Sequence, residues 1–238
     1  MLERAHRSFV EAGAEIVISA SYQCAASDTD LAETTAIARR ASNGSTLVAA
    51  SLGPFGASLA DGSEYTGRYP VSWDVVESYH REKIAALAPS EPDLFAVETI
   101  PLADEARLIA SILVEFGAPP AWFSFGFADE HTTYGGDSVE AAVGAVSGYE
   151  SLVAIGVNCT NPTLVSGITA RMHLIAPGVP LIAYPNHGRQ WDAVNRCWLG
   201  EGATVPGDST VAEWLANGVR YVGGCCGVGP DAAAATHV

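Results

Sequence analysis

Basic residues are scarce in this chain. Twelve lysines and arginines stand against 27 aspartates and glutamates in 238 residues, a formal net charge of −15. So acidic a protein repels phosphate backbones and anionic headgroups, which excludes nucleic acid and anionic membrane surfaces as partners. Long apolar runs are missing as well. No stretch has the length of a transmembrane helix, and the start, Met1 to Arg7, has no apolar segment of the kind that directs export. These absences point to the cytoplasm, where thiols stay reduced. Cysteine is sparse and odd in number: Cys24, Cys159, Cys197, Cys225 and Cys226. That is not a disulfide framework, and it turns attention to metal binding or catalysis. No Gly-x-Gly-x-x-Gly follows an early strand, which weighs against a dinucleotide-binding sheet. No linker, repeat or low-complexity segment divides the chain, so residues 1–238 read as one domain.

What is present is a regular alternation. With 48% hydrophobic and 16% charged residues, the composition is that of a folded α/β protein and not of a disordered one. Strand-length apolar runs occur at 15–20, 46–52, 94–99, 121–127, 152–157, 180–184 and 219–222. Most are nearly continuous, as parallel strands covered on both faces require. Helical patterns occupy 2–12, 31–43, 73–88, 102–116, 138–147, 162–175 and 210–217. Gly13, Gly117 and Gly218 read as C-terminal caps, and Asp208-Ser209 as the N-cap of the last helix. The Gly-rich stretches 53–67 and 200–207 read as loops over the strand ends.

The polar and thiol residues gather where strands end: Ser21-Tyr22-Gln23, Glu98-Thr99, Asn158-Cys159, Asn186 and Cys225-Cys226. A closed (β/α) barrel brings such ends around one mouth. A three-cysteine site drawing on the fifth and seventh strands therefore favours closure over an open sheet. Three thiolates have the number and softness for a zinc ion with a fourth position open to substrate. Such a centre is a poor source of hydroxide. It is suited to holding a substrate thiol as thiolate, the form that attacks an alkyl carbon. The residues alone also allow a closed zinc site with a histidine as fourth ligand, three unrelated core cysteines, or a redox disulfide at Cys225-Cys226. His187, just after the strand-end residues Tyr184-Pro185-Asn186, is weighed as that ligand and reads rather as an outer or surface residue. The other histidines show no metal spacing. Cys24 and Cys197 read as incidental, and the five tryptophans as packing aromatics.

Several tracts together resemble the homocysteine S-methyltransferase family of zinc-dependent (β/α)8 barrels. They are Ser19-Ala20-Ser21-Tyr22-Gln23, Gly53-Pro54-Phe55-Gly56-Ala57, the 59–67 stretch with Asp61-Gly62-Ser63-Glu64-Tyr65, Glu98-Thr99-Ile100-Pro101, Gly156-Val157-Asn158-Cys159-Thr160, Tyr184-Pro185-Asn186 and Gly223-Gly224-Cys225-Cys226. The resemblance implies that Cys159, Cys225 and Cys226 ligate zinc and that homocysteine sulfur completes the tetrahedron. The methyl donor would be a sulfonium, S-methylmethionine or S-adenosylmethionine, and the product methionine. It implies that Glu98 binds the amino group of homocysteine and that Tyr22 and Ser19 line the pocket. Asn158 would orient the site or bond the substrate carboxylate. Asn186 belongs to the matching tract, but His187 stands where the family commonly has serine. The family opens with an Asp-Gly-containing strand, whereas this chain opens with a helix. The expected fold is thus a (β/α)8 TIM barrel that is N-terminally truncated, with seven strands visible. The alternative function is a weak or inactive zinc-binding relic of the same fold.

Overall fold

The computed structural model describes residues 1–28, 30–192, 197–200 and 208–234. Seven parallel strands form one sheet: β1 (Ile16–Ile18), β2 (Leu47–Leu52), β3 (Leu94–Ile100), β4 (Ala121–Phe125), β5 (Leu152–Asn158), β6 (Leu181–Tyr184) and β9 (Val219–Val222), paired in that order. Between β6 and β9 a two-stranded antiparallel ribbon is inserted, β7 (Gln190–Asp192) and β8 (Cys197–Leu199). Crossover helices are α1 (Leu2–Glu11), α2 (Leu31–Ala41), α4 (Trp73–Leu87), α5 (Ala103–Glu115), α6 (Val139–Val146), α7 (Val165–Ile175) and α8 (Asp208–Ala216). Two five-residue helices complete the set, α3 (Phe55–Leu59) and α9 (Pro230–Ala234). No described helix is long and apolar enough to cross a membrane.

All seven expected strands are present. β1 is shorter than its apolar run, and β4 ends before Phe127, which instead bridges Thr133. Gly13, Gly117 and Gly218 follow their helices with φ of 99°, 57° and 93°, the left-handed turn that a helix end requires. The expected cap at Asp208-Ser209 is displaced. α8 begins at Asp208, so the pair lies inside its first turn. The 53–67 stretch is more ordered than a plain loop, since it holds α3 and a 3-10 turn at Ser63–Tyr65. The 200–207 stretch falls outside the described residues beyond Gly200.

Strand periodicity of two explains where the site sits. On β2 to β6, one set of residues faces the helices and joins the main core: Ala50, Leu52, Phe95, Val97, Phe123, Phe125, Ile155, Val157, Leu181 and Ala183. The alternate set forms a second cluster on the concave face: Ala49, Leu94, Ala96, Trp122, Ala154, Ile182 and Tyr184. Continued toward the strand C-termini, that inner set becomes polar, with Ser51, Glu98, Ser124 and Asn158 all buried. An apolar floor therefore lies under a polar mouth.

The curl of the sheet brings Cα atoms of α1 and α9 within 8 Å of each other. Among the described residues β1 and β9 do not pair with one another. Their inner side chains, Ile16, Ile18 and Tyr221, are only half-buried. The architecture is thus a curled half-barrel. Closure is also not what unites the cysteines, because β5, β6 and β9 are successive neighbours. The reading that needed a closed barrel overlooked this adjacency.

Gly156 lies where β5 comes nearest β6. A Cβ there would fall on the carbonyl oxygen of Ile182. Gly156→Ala is expected to lower stability by on the order of 3 kcal/mol, since neither strand has room to retreat. Urea unfolding checks this, and an unchanged midpoint would contradict it.

Candidate active site and metal centre

Cys159 follows β5 in the left-handed region, with φ of 48°. That conformation costs a non-glycine residue about 1–2 kcal/mol, and surrounding bonds must hold it. Its N–H donates to the Tyr184 carbonyl at 3.2 Å. Its own carbonyl accepts from Tyr134 Oη at 3.1 Å and Asn186 Nδ2 at 3.4 Å. Thr99, at the end of β3, is turned in the same way, with φ of 58°. Asn158 ties the two turned ends together. Its Oδ1 accepts from the Thr99 N–H at 2.7 Å, and its Nδ2 donates to Thr99 Oγ1 at 2.7 Å. Opposite them, the loop after β9 is fastened to the loop after β6. Cys225 N–H donates to the Pro185 carbonyl at 2.8 Å, and His187 N–H donates to the Cys226 carbonyl at 3.0 Å.

These backbone ties bring Cys159, Cys225 and Cys226 together, with their three sulfurs within 4.8 Å of one another. Cys226 Sγ is 3.5 Å from Cys159 Sγ and 4.0 Å from Cys225 Sγ. All three are free thiols, so the redox-disulfide alternative is not the state seen. A tetrahedral ion with metal–sulfur bonds of about 2.3 Å sets its sulfurs about 3.8 Å apart, so this spacing fits a soft dication without rearrangement. No histidine nitrogen or carboxylate joins the group among the described residues. His187 Nδ1 accepts from the Arg189 N–H at 3.3 Å, and its ring lies against Gly227. Cys24 lies apart, with its thiol directed to the Ala20 carbonyl. The side chains of Cys197, Trp191 and Trp198 fall outside the described residues.

The thiols are electrostatically unequal. Hydrogen bonds from Cys159 and Cys225 pull the Cys226 thiol well down. Bonds to Cys159 and Cys226, with burial, push Cys225 up. For Cys159, the bond with Cys225 acts downward but is outweighed by the bond to Cys226 and by burial, and the thiol is raised. Burial and mutual bonding thus oppose ionising all three thiols at once, and a bound dication would offset that opposition.

Glu98 lies 8% exposed on the concave face. Burial pushes its carboxyl up to about 7, against the opposing hydrogen bonds of Ser51 and Tyr184. Ser51 Oγ donates to Glu98 Oε1 at 2.5 Å. A serine chain leads away from it: Ser51 N–H donates to Ser19 Oγ at 3.2 Å, and Ser19 and Ser21 hydroxyls meet at 2.8 Å. Ser19 is therefore engaged in holding β1 to β2. Tyr22 is half-buried, its ring packed on Gly53, and its hydroxyl has no hydrogen-bond partner among the described residues. The Tyr22 carbonyl accepts at 2.9 Å from Lys83, the only lysine of the sequence, which is fully buried. Asn186 acts on the backbone: its Oδ1 accepts from Gly188 N–H at 2.8 Å, and its Nδ2 holds Cys159.

Several site residues were not singled out from sequence. Tyr65 Oη sits 3.6 Å from Cys159 Sγ and its ring meets Tyr134 edge-on. Its only signal was membership of the matched 59–67 tract. Thr99 was marked only as part of the strand-end pair Glu98-Thr99 and its matched tract, and Tyr134 carried no signal. Glu105 of α5 is fully buried and clasps the whole mouth segment. Its Oε1 accepts from Phe55 N–H at 2.6 Å and meets His80 Nε2 at 2.8 Å, while Tyr69 Oη donates to its Oε2 at 2.6 Å.

Comparison with known proteins agrees with this geometry. A family model described as homocysteine S-methyltransferase matches residues 1–237. The homocysteine S-methyltransferase of Escherichia coli (strain K12) is 36% identical, over 97% of this chain and 81% of its own length. The selenocysteine Se-methyltransferase of Brassica oleracea var. italica is 32% identical, over 100% of this chain and 78% of its own. Among solved structures, the metallated form of the homocysteine methyltransferase MmuM from Escherichia coli superposes with a TM-score of 0.83 at 30% identity. It covers 98% of this chain and 82% of that one. Fold and site together define the class, an α/β half-barrel methyltransferase with a three-thiol cluster at its mouth that could hold a metal ion. Within that class, the chain belongs to the homocysteine S-methyltransferase family.

Glu98 gives a pH signature in the substrate-free protein. Its carboxyl titrates near 4.5 when unfolded and at about 7 when folded. Between those values the native state keeps a proton that the unfolded state has lost. The stability this contributes is full below pH 4.5 and is lost as pH rises through 7. Relative to Glu98→Gln, the wild type should lose on the order of 3 kcal/mol between about pH 5 and about pH 8. Urea unfolding of both proteins across that range measures the difference, and a pH-independent gap would refute it.

Proposed function

We propose that the protein transfers a methyl group from a sulfonium donor to the sulfur of homocysteine, forming methionine, with zinc held by Cys159, Cys225 and Cys226. The observation that carries this reading is the cluster of three free sulfurs at tetrahedral spacing, facing a buried carboxylate on the same concave surface. The family and the named activities of the relatives support the acceptor. When bound, zinc supplies the chemistry of keeping an acceptor thiol ionised at neutral pH.

The chain's own residues do the rest. Glu98, close enough to Cys226 to feel its charge, is the anion for the amino group of homocysteine. An ammonium partner would restore the ionised form that burial opposes. Asn158 fixes the strand end that carries Glu98 relative to the one that carries Cys159. Tyr65 and Tyr134 cover Cys159 from the loop side and keep water from the attacking sulfur. Tyr22 lines the pocket from the end of β1. In the transfer, the acceptor thiol first gives up its proton to solvent. Its sulfur then forms a bond to the methyl carbon, and the carbon–sulfur bond of the donor breaks with its electron pair returning to sulfur. The leaving group is a neutral thioether, so no general acid is required. With S-methylmethionine as donor, both products are methionine. Catalysis then rests on thiolate formation and in-line placement.

Purified protein should contain one zinc per chain and form methionine from homocysteine and S-methylmethionine. Chelation should abolish turnover and added zinc restore it. Cys226→Ser should lower zinc affinity and turnover by more than the ~100-fold that loss of an outer partner costs. Full activity in zinc-free protein, or in Cys226→Ser, would overturn the proposal.

A further inference from the structure

One charged group in the mouth has no task so far. Glu64 sits in the 3-10 turn of the 61–67 loop and is 7% exposed. Its Oε2 is buried without any hydrogen-bond partner among the described residues. Leaving such an oxygen dry costs several kcal/mol if it is ionised, so in the working protein it takes a partner from solvent or from a ligand. The carboxylate is not drifting on a loose loop. Asp61 Oδ1 accepts from Ser63 N–H at 2.9 Å just before it, and the Glu64 backbone is seated against Gly56, where a Cβ would lie 2.6 Å from the Glu64 nitrogen. The neighbouring Tyr65 reaches Cys159 Sγ. The position of Glu64 is therefore set with respect to the sulfur cluster. It lies near the Tyr22 hydroxyl, the other partnerless polar atom of this part of the mouth, and near Cys226.

We propose that Glu64 is the anion that receives the positive charge of the methyl donor, so that the 61–67 loop forms the donor half of the site. The inference rests on the methyltransferase reading above. A carboxylate surrounded by thiols and phenols calls for a cation. The reaction brings in two: the ammonium of homocysteine, assigned to Glu98, and the cationic donor. Burial, with the charges of Asp61 and Cys226, raises the Glu64 carboxyl against the backbone N–H bonds of Glu64 and Gly62 to it, and a cation in contact with Oε2 would act with those bonds to lower it. The charge logic also fixes the kinetic consequence. A sulfonium is most positive before the methyl leaves and neutral afterwards. Glu64 therefore holds the bound donor more tightly than the transition state or the product thioether, and its loss should raise KM without lowering kcat.

The test compares zinc-loaded wild type with Glu64→Gln and Glu64→Asp. Calorimetric titration with S-methylmethionine should show about tenfold or greater weakening in Glu64→Gln, the range for losing a bond to a charged group, and partial recovery in Glu64→Asp. KM for S-methylmethionine should rise in parallel, with kcat equal or higher, while zinc content and KM for homocysteine stay as in wild type. Glu64→Gln is isosteric and removes an unpaired buried charge, so its Tm should be equal or higher. Titration with methionine, which has the ammonium without the sulfonium, separates the two sources of charge. Weakening confined to S-methylmethionine assigns Glu64 to the sulfonium, and weakening shared by methionine assigns it to the donor's ammonium. Either result supports the proposal. Unchanged donor affinity, or a loss falling on homocysteine or on zinc, overturns it. If wild type binds S-methylmethionine through Glu64 yet never turns over, the function proposed above fails while the cation site stands.

Discussion

A single side-chain amide holds the two halves of the mouth in one frame. Asn158 gives both of its polar atoms to Thr99, across the gap between the end of β5 and the end of β3. Both ends have left the extended conformation, with Thr99 and Cys159 at positive φ. Each turn costs free energy that its own strand does not return. The result is that Glu98, just before Thr99, and Cys159, just after Asn158, are presented from rigid strands at a fixed offset. Buried amide bonds of this kind contribute about 1 kcal/mol each in net stability, but leaving their groups unpaired costs more. The pair is therefore better understood as setting geometry than as adding stability.

The large features were legible in the sequence for a physical reason. Strands buried on both faces leave apolar runs, and all seven appeared as such. The three ligand candidates were legible because thiols at strand ends are rare. Other features left no mark. Thr99 and Cys159 are not glycines, so no residue type announces their backbone reversal. The β7–β8 ribbon is short, and its strands lack the length that periodicity needs. Glu105 looks like any acidic residue early in an amphipathic helix, where the helix dipole alone would explain it. Only the fold shows it fully buried under the mouth segment. His80 was passed over because it lacks metal spacing, and it turns out to be a partner of that same carboxylate.

The charge balance of the mouth runs opposite to intuition for so acidic a protein. Anionic or ionisable groups converge there: Glu98, Glu64 and the three thiols. The one lysine is turned away, its ammonium buried under the Tyr22 carbonyl and beside Tyr79, and burial lowers it to about 8. Among the described residues no fixed cation of the mouth would compete with a metal ion, an ammonium or a sulfonium bound there. In a poorly solvated site each of these would meet a preorganised anion at little reorganisation cost. The negative field thus favours small cationic ligands, while the net charge of −15 weighs against polyanions.

How the mouth segment is held explains the accuracy with which it covers sulfur. Residues 53–69 are pinned at two places by one buried carboxylate, through Phe55 N–H and Tyr69 Oη on Glu105. Between the pins the chain carries Glu64 and Tyr65. Apolar packing alone would tolerate sliding, because dispersion contacts are individually weak and non-directional. Hydrogen bonds to a charged acceptor are short and directional, so they fix register. The cost is a buried carboxylate that must keep all its partners. Phe55 and Tyr69 supply them from the mouth segment and His80 from α4, and that convergence on α5 makes the position of Tyr65 over Cys159 a property of the fold around the loop and not of the loop alone.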